Sequence, residues 1–167
     1  FRAIGYNLET AVADIIDNSI SAEAKNIYID RIWQGGKSII TIRDDGRGMN
    51  GEELINAMRP GALNPLMERT ETDLGRFGLG LKTASFSQCR KLTVLSKKKN
   101  YSSIFWSWDL DYVAQTNEWN LIKWIPEEYV NALEHQESGT IVIWTDLDRI
   151  LSLTTSENDE NAKRKFS

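Results

Sequence analysis

A chain of 167 residues is sized for one domain, and its net charge of −4 and pI near 5.1 argue against a dedicated nucleic-acid binder, whose footprint is a basic face. A hydrophobic content of 41% is enough to build a core at this length. One cysteine, Cys89, and one histidine, His135, exclude a disulfide scaffold and a Cys/His zinc site, and no apolar run approaches the roughly 18 residues of a membrane helix.

"YNLETAVADIIDNSISAEA" places Leu8, Val12, Ile15, Ile16 and Ile20 at spacings of three and four, an amphipathic helix. "NIYIDRIW" and "SIITIRD" read as strands of a hairpin around the turn "QGGK". "DDGRGMN" is a glycine-rich loop and "GEELINAM" a short helix. "RPGALNPLMERTETDL" reads as a long loop, a length that usually signals function. "GRFGLGLKTASFSQ" runs from loop into helix. "KLTVLSK" and "YSSIFWSWDL" flank the turn "KKN" as a second hairpin. "EWNLIKWI" and "GTIVIWTDL" are further expected strands, with a helical stretch "PEEYVNALEH" between them. This order predicts an α+β two-layer sandwich, with helices covering one face of a mixed, mostly antiparallel sheet.

The segment carries no visible signal peptide, and its scarcity of cysteine suits an intracellular, cytoplasmic protein. It begins at Phe1 and ends in the polar run "TTSENDENAKRKFS". Both ends are expected to be cut from something longer. Residues 1–150 are expected to form the domain, and 151–167 a polar tail leading into a C-terminal region.

Three stretches draw attention for chemistry. In "DLGRFGLGLKTAS", Gly75 and Gly80 have the separation of a Walker A loop, but Leu81 intervenes before Lys82. A dinucleotide fingerprint fails as well, because Thr83 stands where its third glycine belongs. The stretch either cradles an anion against backbone N–H groups at a helix start or packs a helix as a glycine-rich turn. In "ADIIDNSIS", Asp14 and Asn18 lie four apart on one helix face. They either orient a water and complete a magnesium shell or form ordinary solvated helix polarity. In "IRDDGRGMN", Asp44 ends a strand ahead of Gly46 and Gly48. It either accepts a hydrogen bond from an exocyclic amine such as that of adenine or opens a type I turn. EF-hand calcium binding is not supported, since the spaced acidic residues and closing glutamate are absent. Trp106, Trp108, Trp124 and Trp144 fall in expected strands as packing residues. Lys97, Lys98 and Lys99 read as a solvated turn, and Cys89 as a buried small residue.

The joint order of "ADIIDNS", "DDGRGM" and "GRFGLGLKTAS" resembles the N, G1 and G2 boxes of the Bergerat-fold (GHKL) ATPases. That superfamily contains type II DNA topoisomerases, ninety-kilodalton heat-shock chaperones, histidine kinases and MutL. The resemblance spans roughly residues 6 to 145 and sits on the chaperone, MutL and MORC side. It implies a Mg2+-dependent ATPase. Asn18 would bind the metal and Asp14 would be the general base, although the family's usual residue there is Glu, one methylene longer. Asp44 would bond the adenine amine, with Gly46, Gly48 and Met49 lining the base pocket. Gly75, Arg76, Phe77, Gly78, Leu79 and Gly80 would wrap the phosphates, Lys82 would add charge to them, and Thr140 would sit near the adenine through water. Residues 59–74 would form the ATP lid. Ser21 stands where many relatives have Asp. An ATP-dependent homodimer of a longer protein, acting on a DNA or protein client and with no membrane partner, is the implied assembly. A nucleotide sensor without hydrolysis is the alternative. A kinase of the histidine-kinase type is disfavoured by the N box.

Overall fold

The computed structural model describes residues 6–33, 37–59 and 80–147. The elements in chain order are α1 (Leu8–Ser21), β1 (Ile27–Ile32), β2 (Ile39–Asp44), α2 (Gly51–Met58), helical residues 80–86 as α3, β3 (Lys91–Lys97), β4 (Ile104–Asp109), α4 (Leu110–Thr116) and β5 (Gly139–Thr145). The strands form a five-stranded sheet in the order β1-β2-β5-β3-β4. Every pairing among the described strands is antiparallel, in keeping with the mostly antiparallel α+β sheet expected.

Helices α1, α2 and α4 start where the sequence supplies a cap. Asn7 takes the amide of Thr10 ahead of α1, and Asn50 with Glu53 closes a reciprocal capping box on α2. The buried stripe of α1 is Ala11, Ile15 and Ser19, with Leu8 and Val12 partly covered. Ile20, expected on that stripe, is 60% exposed, because it lies five residues past Ile15 and has turned away from the sheet. The apolar faces of α1, α2 and α3 close on Ile40, Ile42, Leu92, Val94, Trp108, Val142 and Trp144. Alternation puts these side chains on one face of the sheet. Trp108 and Trp144 are fully buried, their indole N–H groups donating to the Met58 carbonyl and the Ser85 hydroxyl.

The opposite face is covered by irregular chain. Leu133 packs on Leu95, Ile141 and Ile143, with Ile125, Tyr129 and Ala132 around it. Here two expectations fail. "EWNLIKWI" makes one isolated bridge, Ile122 to Ser107, in place of a strand. The neighbouring Lys123 ammonium donates to the Phe105 carbonyl at 2.8 Å, capping the β4 edge by side chain. "PEEYVNALEH" is one 3-10 turn, Glu127–Tyr129, followed by successive turns closed three residues back rather than four, such as Ala132 to Tyr129 and Gln136 to Leu133. Its end is held away from helical geometry by Gln136, whose side-chain amide donates to the carbonyls of Asp44 and Ser138. α4 is an element the sequence reading did not assign. Asp109 caps it, and Asn117 ends it in the left-handed region at φ 55°. The lysines of the β3–β4 turn are partnered within the chain: Lys97 with the Gln136 carbonyl, Lys98 with Glu53, Lys99 with Glu137. Trp124 lies outside any strand, under the Lys91 ammonium at 3.4 Å from its ring centroid.

Candidate functional site

Asp44 ends β2 on the helix-covered face, and the sheet register sets two more polar residues beside it. Asp44 pairs with Thr140, and Thr140 with Ser96, giving a polar row across β2, β5 and β3 in an otherwise apolar surface. Ser19 of α1 donates to Oδ2 of Asp44 at 2.7 Å. The amides of Gly46 and Thr140 donate to Oδ1 at 2.9 and 3.2 Å. Burial raises the Asp44 pKa above the ordinary carboxylate value, while these donors hold it down in part. The Thr140 and Ser96 hydroxyls bond each other at 2.8 Å, and Ser96 also takes the Met49 amide at 2.8 Å. Met49 itself is buried in the main core.

Asp45 is turned elsewhere. Its oxygens accept from the amides of Lys25 and Asn26 and from the Asn26 side chain, tying the loop to the α1–β1 connection and lowering its pKa. Gly48 has φ +66°, and a Cβ there would lie 1.9 Å from the Lys97 carbonyl oxygen, so only glycine fits. The loop is thereby pressed onto the end of β3.

One side of the same corner is built by α1. Asp14 and Asn18 stand one turn apart, both half-buried. The Asp14 Oδ2 accepts a hydrogen bond from the Tyr6 phenol, and burial, followed by repulsion from Asp17, raises its pKa. The Asn18 amide nitrogen is buried with no hydrogen-bond partner among the described residues. Such an orphan costs desolvation free energy that a ligand oxygen would offset. Among the described residues no group of three His, Cys, Asp or Glu side chains is placed to hold a metal. A neutral oxygen donor at Asn18 with no carboxylate cage suits Mg2+, which usually keeps several waters and leans on substrate phosphates.

The glycine-rich stretch is only partly in view. Gly75, Arg76, Phe77, Gly78 and Leu79, with the expected lid apart from Arg59, lie outside the described residues. Gly80 stands at the described start of α3, where a Cβ would meet nothing within 4 Å. Lys82 donates to the Arg59 carbonyl and lies 5.8 Å from the Trp108 ring centroid. Burial lowers its pKa to about 8. Its ammonium is committed to the end of α2 in this structure.

The structure thus joins Asp44, Gly46 and Thr140 by direct bonds and brings Met49 to them through Ser96. Sequence reasoning missed Ser19, Ser96 and Tyr6. Ser96 carried a faint signal, as a hydroxyl in the apolar alternation of "KLTVLSK". Tyr6 and Ser19 carried none.

Comparison with known proteins gives the same direction. The chain is similar to the ATPase morc-1 of Caenorhabditis elegans, 33% identical over 89 residues, which are 53% of this chain and 10% of that protein. It is 38% identical over 95 residues to the DNA mismatch repair protein MutL of Coxiella burnetii (strain Dugway 5J108-111), covering 54% of this chain and 16% of that one. The MutL of Dictyoglomus turgidum is 32% identical over 114 residues, 66% of this chain and 19% of that protein. The chain therefore spans between 10% and 19% of the length of these curated relatives. Residues 6–140 match the model of the family described as histidine kinase-, DNA gyrase B-, and HSP90-like ATPase, and the chain belongs to that family, as an ATP-binding module of it.

Proposed function

We propose that this module binds ATP with Mg2+ at the corner between α1 and the polar row, and hydrolyses it with Asp14 as general base. The observation that carries the reading is the Asp44 carboxylate, buried yet fully oriented by Ser19, Gly46 and Thr140. A group so placed accepts from an exocyclic amine without reorganising. Asn18 would hold Mg2+, whose role is to neutralise and orient the phosphates. The residues' own work is positioning: Asp44, Gly46, Gly48, Met49 and Thr140 seat the base, the backbone from Gly75 to Gly80 wraps the phosphates, and Asp14 accepts the proton of the attacking water. Residues 59–74 serve as the lid and 1–150 as the domain. The proposal extends to the assembly: the module sits in a longer, ATP-dependent dimer that acts on a DNA or protein client, of which the relatives' names, an ATPase and a DNA mismatch repair protein, support ATP hydrolysis and DNA.

Titration calorimetry of Mg-ATP into the wild type and Asp44→Asn, followed by a turnover assay of Asp14→Asn, tests this. Binding by the wild type that Asp44→Asn weakens about ten- to a hundredfold, and turnover that falls about 10²–10⁴-fold in Asp14→Asn with binding retained, are expected. Normal turnover by Asp14→Asn overturns the base assignment. A sensor that binds ATP without hydrolysis is the second reading, kept open by an Asp at position 14 where the family usually has the longer Glu. Absence of turnover in the full-length dimer selects it.

A further inference from the structure

Tyr6 precedes α1 and lies outside all three boxes, yet its phenol donates to Oδ2 of Asp14. Its position is fixed from two other directions. The half-buried ring packs against the main core, and its backbone carbonyl takes the side-chain amide of buried Gln88 at 3.4 Å. Gln88 is itself tied to the Ser87 hydroxyl at 3.0 Å. Among the described residues no other group donates to the Asp14 carboxylate, so Oδ1 has no donor among them.

We propose that Tyr6 is a positioning residue for hydrolysis: by holding Oδ2 of Asp14 it turns Oδ1 toward the attacking water. This rests on the reading of Asp14 as the base. Aspartate is a methylene shorter than the glutamate usual in the family, so its carboxylate has less reach with which to find the water by its own rotation. A fixed orientation supplies what length does not, since small misplacements at a reacting centre are costly in rate. The phenol also favours the charged carboxylate, against the burial and the Asp17 repulsion that oppose it.

The test uses the full-length protein and Tyr6→Phe, which keeps the ring and removes the hydroxyl. The expected result is a kcat lower by about ten- to a hundredfold, with KM and Kd for Mg-ATP and the melting temperature unchanged. The acidic limb of the kcat profile should move to higher pH, because a donor to the charged base is gone. An unchanged kcat, or a limb that does not move, overturns the inference; in the second case the tyrosine only packs. Asp14→Asn is assayed in parallel. If it retains turnover, or if the wild type shows none, the base reading itself fails. If it is inactive while Tyr6→Phe matches wild type, only the role of Tyr6 fails.

Discussion

The Asp44 carboxylate is a buried charge with an oriented shell, and both facts set its response to substitution and to pH. Asn at this position keeps a carbonyl oxygen for the amides of Gly46 and Thr140 and removes the charge. Asp44→Asn should therefore leave the melting temperature at neutral pH unchanged or higher, while weakening ATP by about ten- to a hundredfold, the range for a hydrogen bond to a charged group. Because the folded pKa is raised above 3.8, the folded chain binds a proton more readily than the unfolded one in the window between them. The stability contributed by that proton is present at low pH and lost as pH rises through the folded pKa. On the proposed reading, nucleotide binding runs the other way, since Asp44 would accept from the adenine amine best in its charged form. Calorimetry across the acidic range should show Mg-ATP affinity falling as pH is lowered into the same window. The aspartate itself was legible, standing at a strand end before two glycines. Its orienting partners Ser19 and Ser96 were not. Whether a serine faces a site depends on the register of strands separated by dozens of residues, and local spacing does not encode that.

At the scale of elements, the glycines separate by what surrounds them. Gly48 combines φ +66° with a close approach to the Lys97 carbonyl, so Gly48→Ala should destabilise the fold by about 1–3 kcal/mol or more, read by chemical denaturation. Gly80 has open space where a Cβ would go, so Gly80→Ala should leave the denaturation midpoint in place or raise it slightly. If its backbone faces phosphates, the same substitution should weaken ATP binding; unaltered affinity would show that this glycine serves neither packing nor ligand. The reciprocal capping box of Asn50 and Glu53 starts α2, and Asn50→Ala should cost about 1 kcal/mol. "EWNLIKWI" misled because its alternation is that of a strand. The segment meets β4 at one bridge, Ile122 to Ser107, Lys123 donates to the Phe105 carbonyl, and Leu121 packs with the helix-side core while Ile125 packs with the cluster on the opposite face.

Across the whole molecule, the sheet is closed on both faces by different means, helices on one and a chain of tight turns on the other. Leu133 anchors the second cover, fully buried against Leu95, Ile141 and Ile143. Leu133→Ala should cost about 2–5 kcal/mol, measured as a lowered unfolding midpoint, by opening a cavity under that cover. The two edges also differ. β4 is capped by the Ile122 bridge, whereas five of the six residues of β1 are exposed, Ile29 at 49%. The residues of the polar row come from positions 44, 96 and 140, neighbours only because β2, β5 and β3 lie side by side. No fragment of the chain holds this corner on its own. If the proposed seat is right, a nucleotide there would act as a rivet through three strands, so amide exchange should slow together in β2, β3 and β5 when it binds, and little in β1. Occupancy of the site is then also a readout of whether the sheet has assembled, and starvation for nucleotide would be felt first as a looser fold.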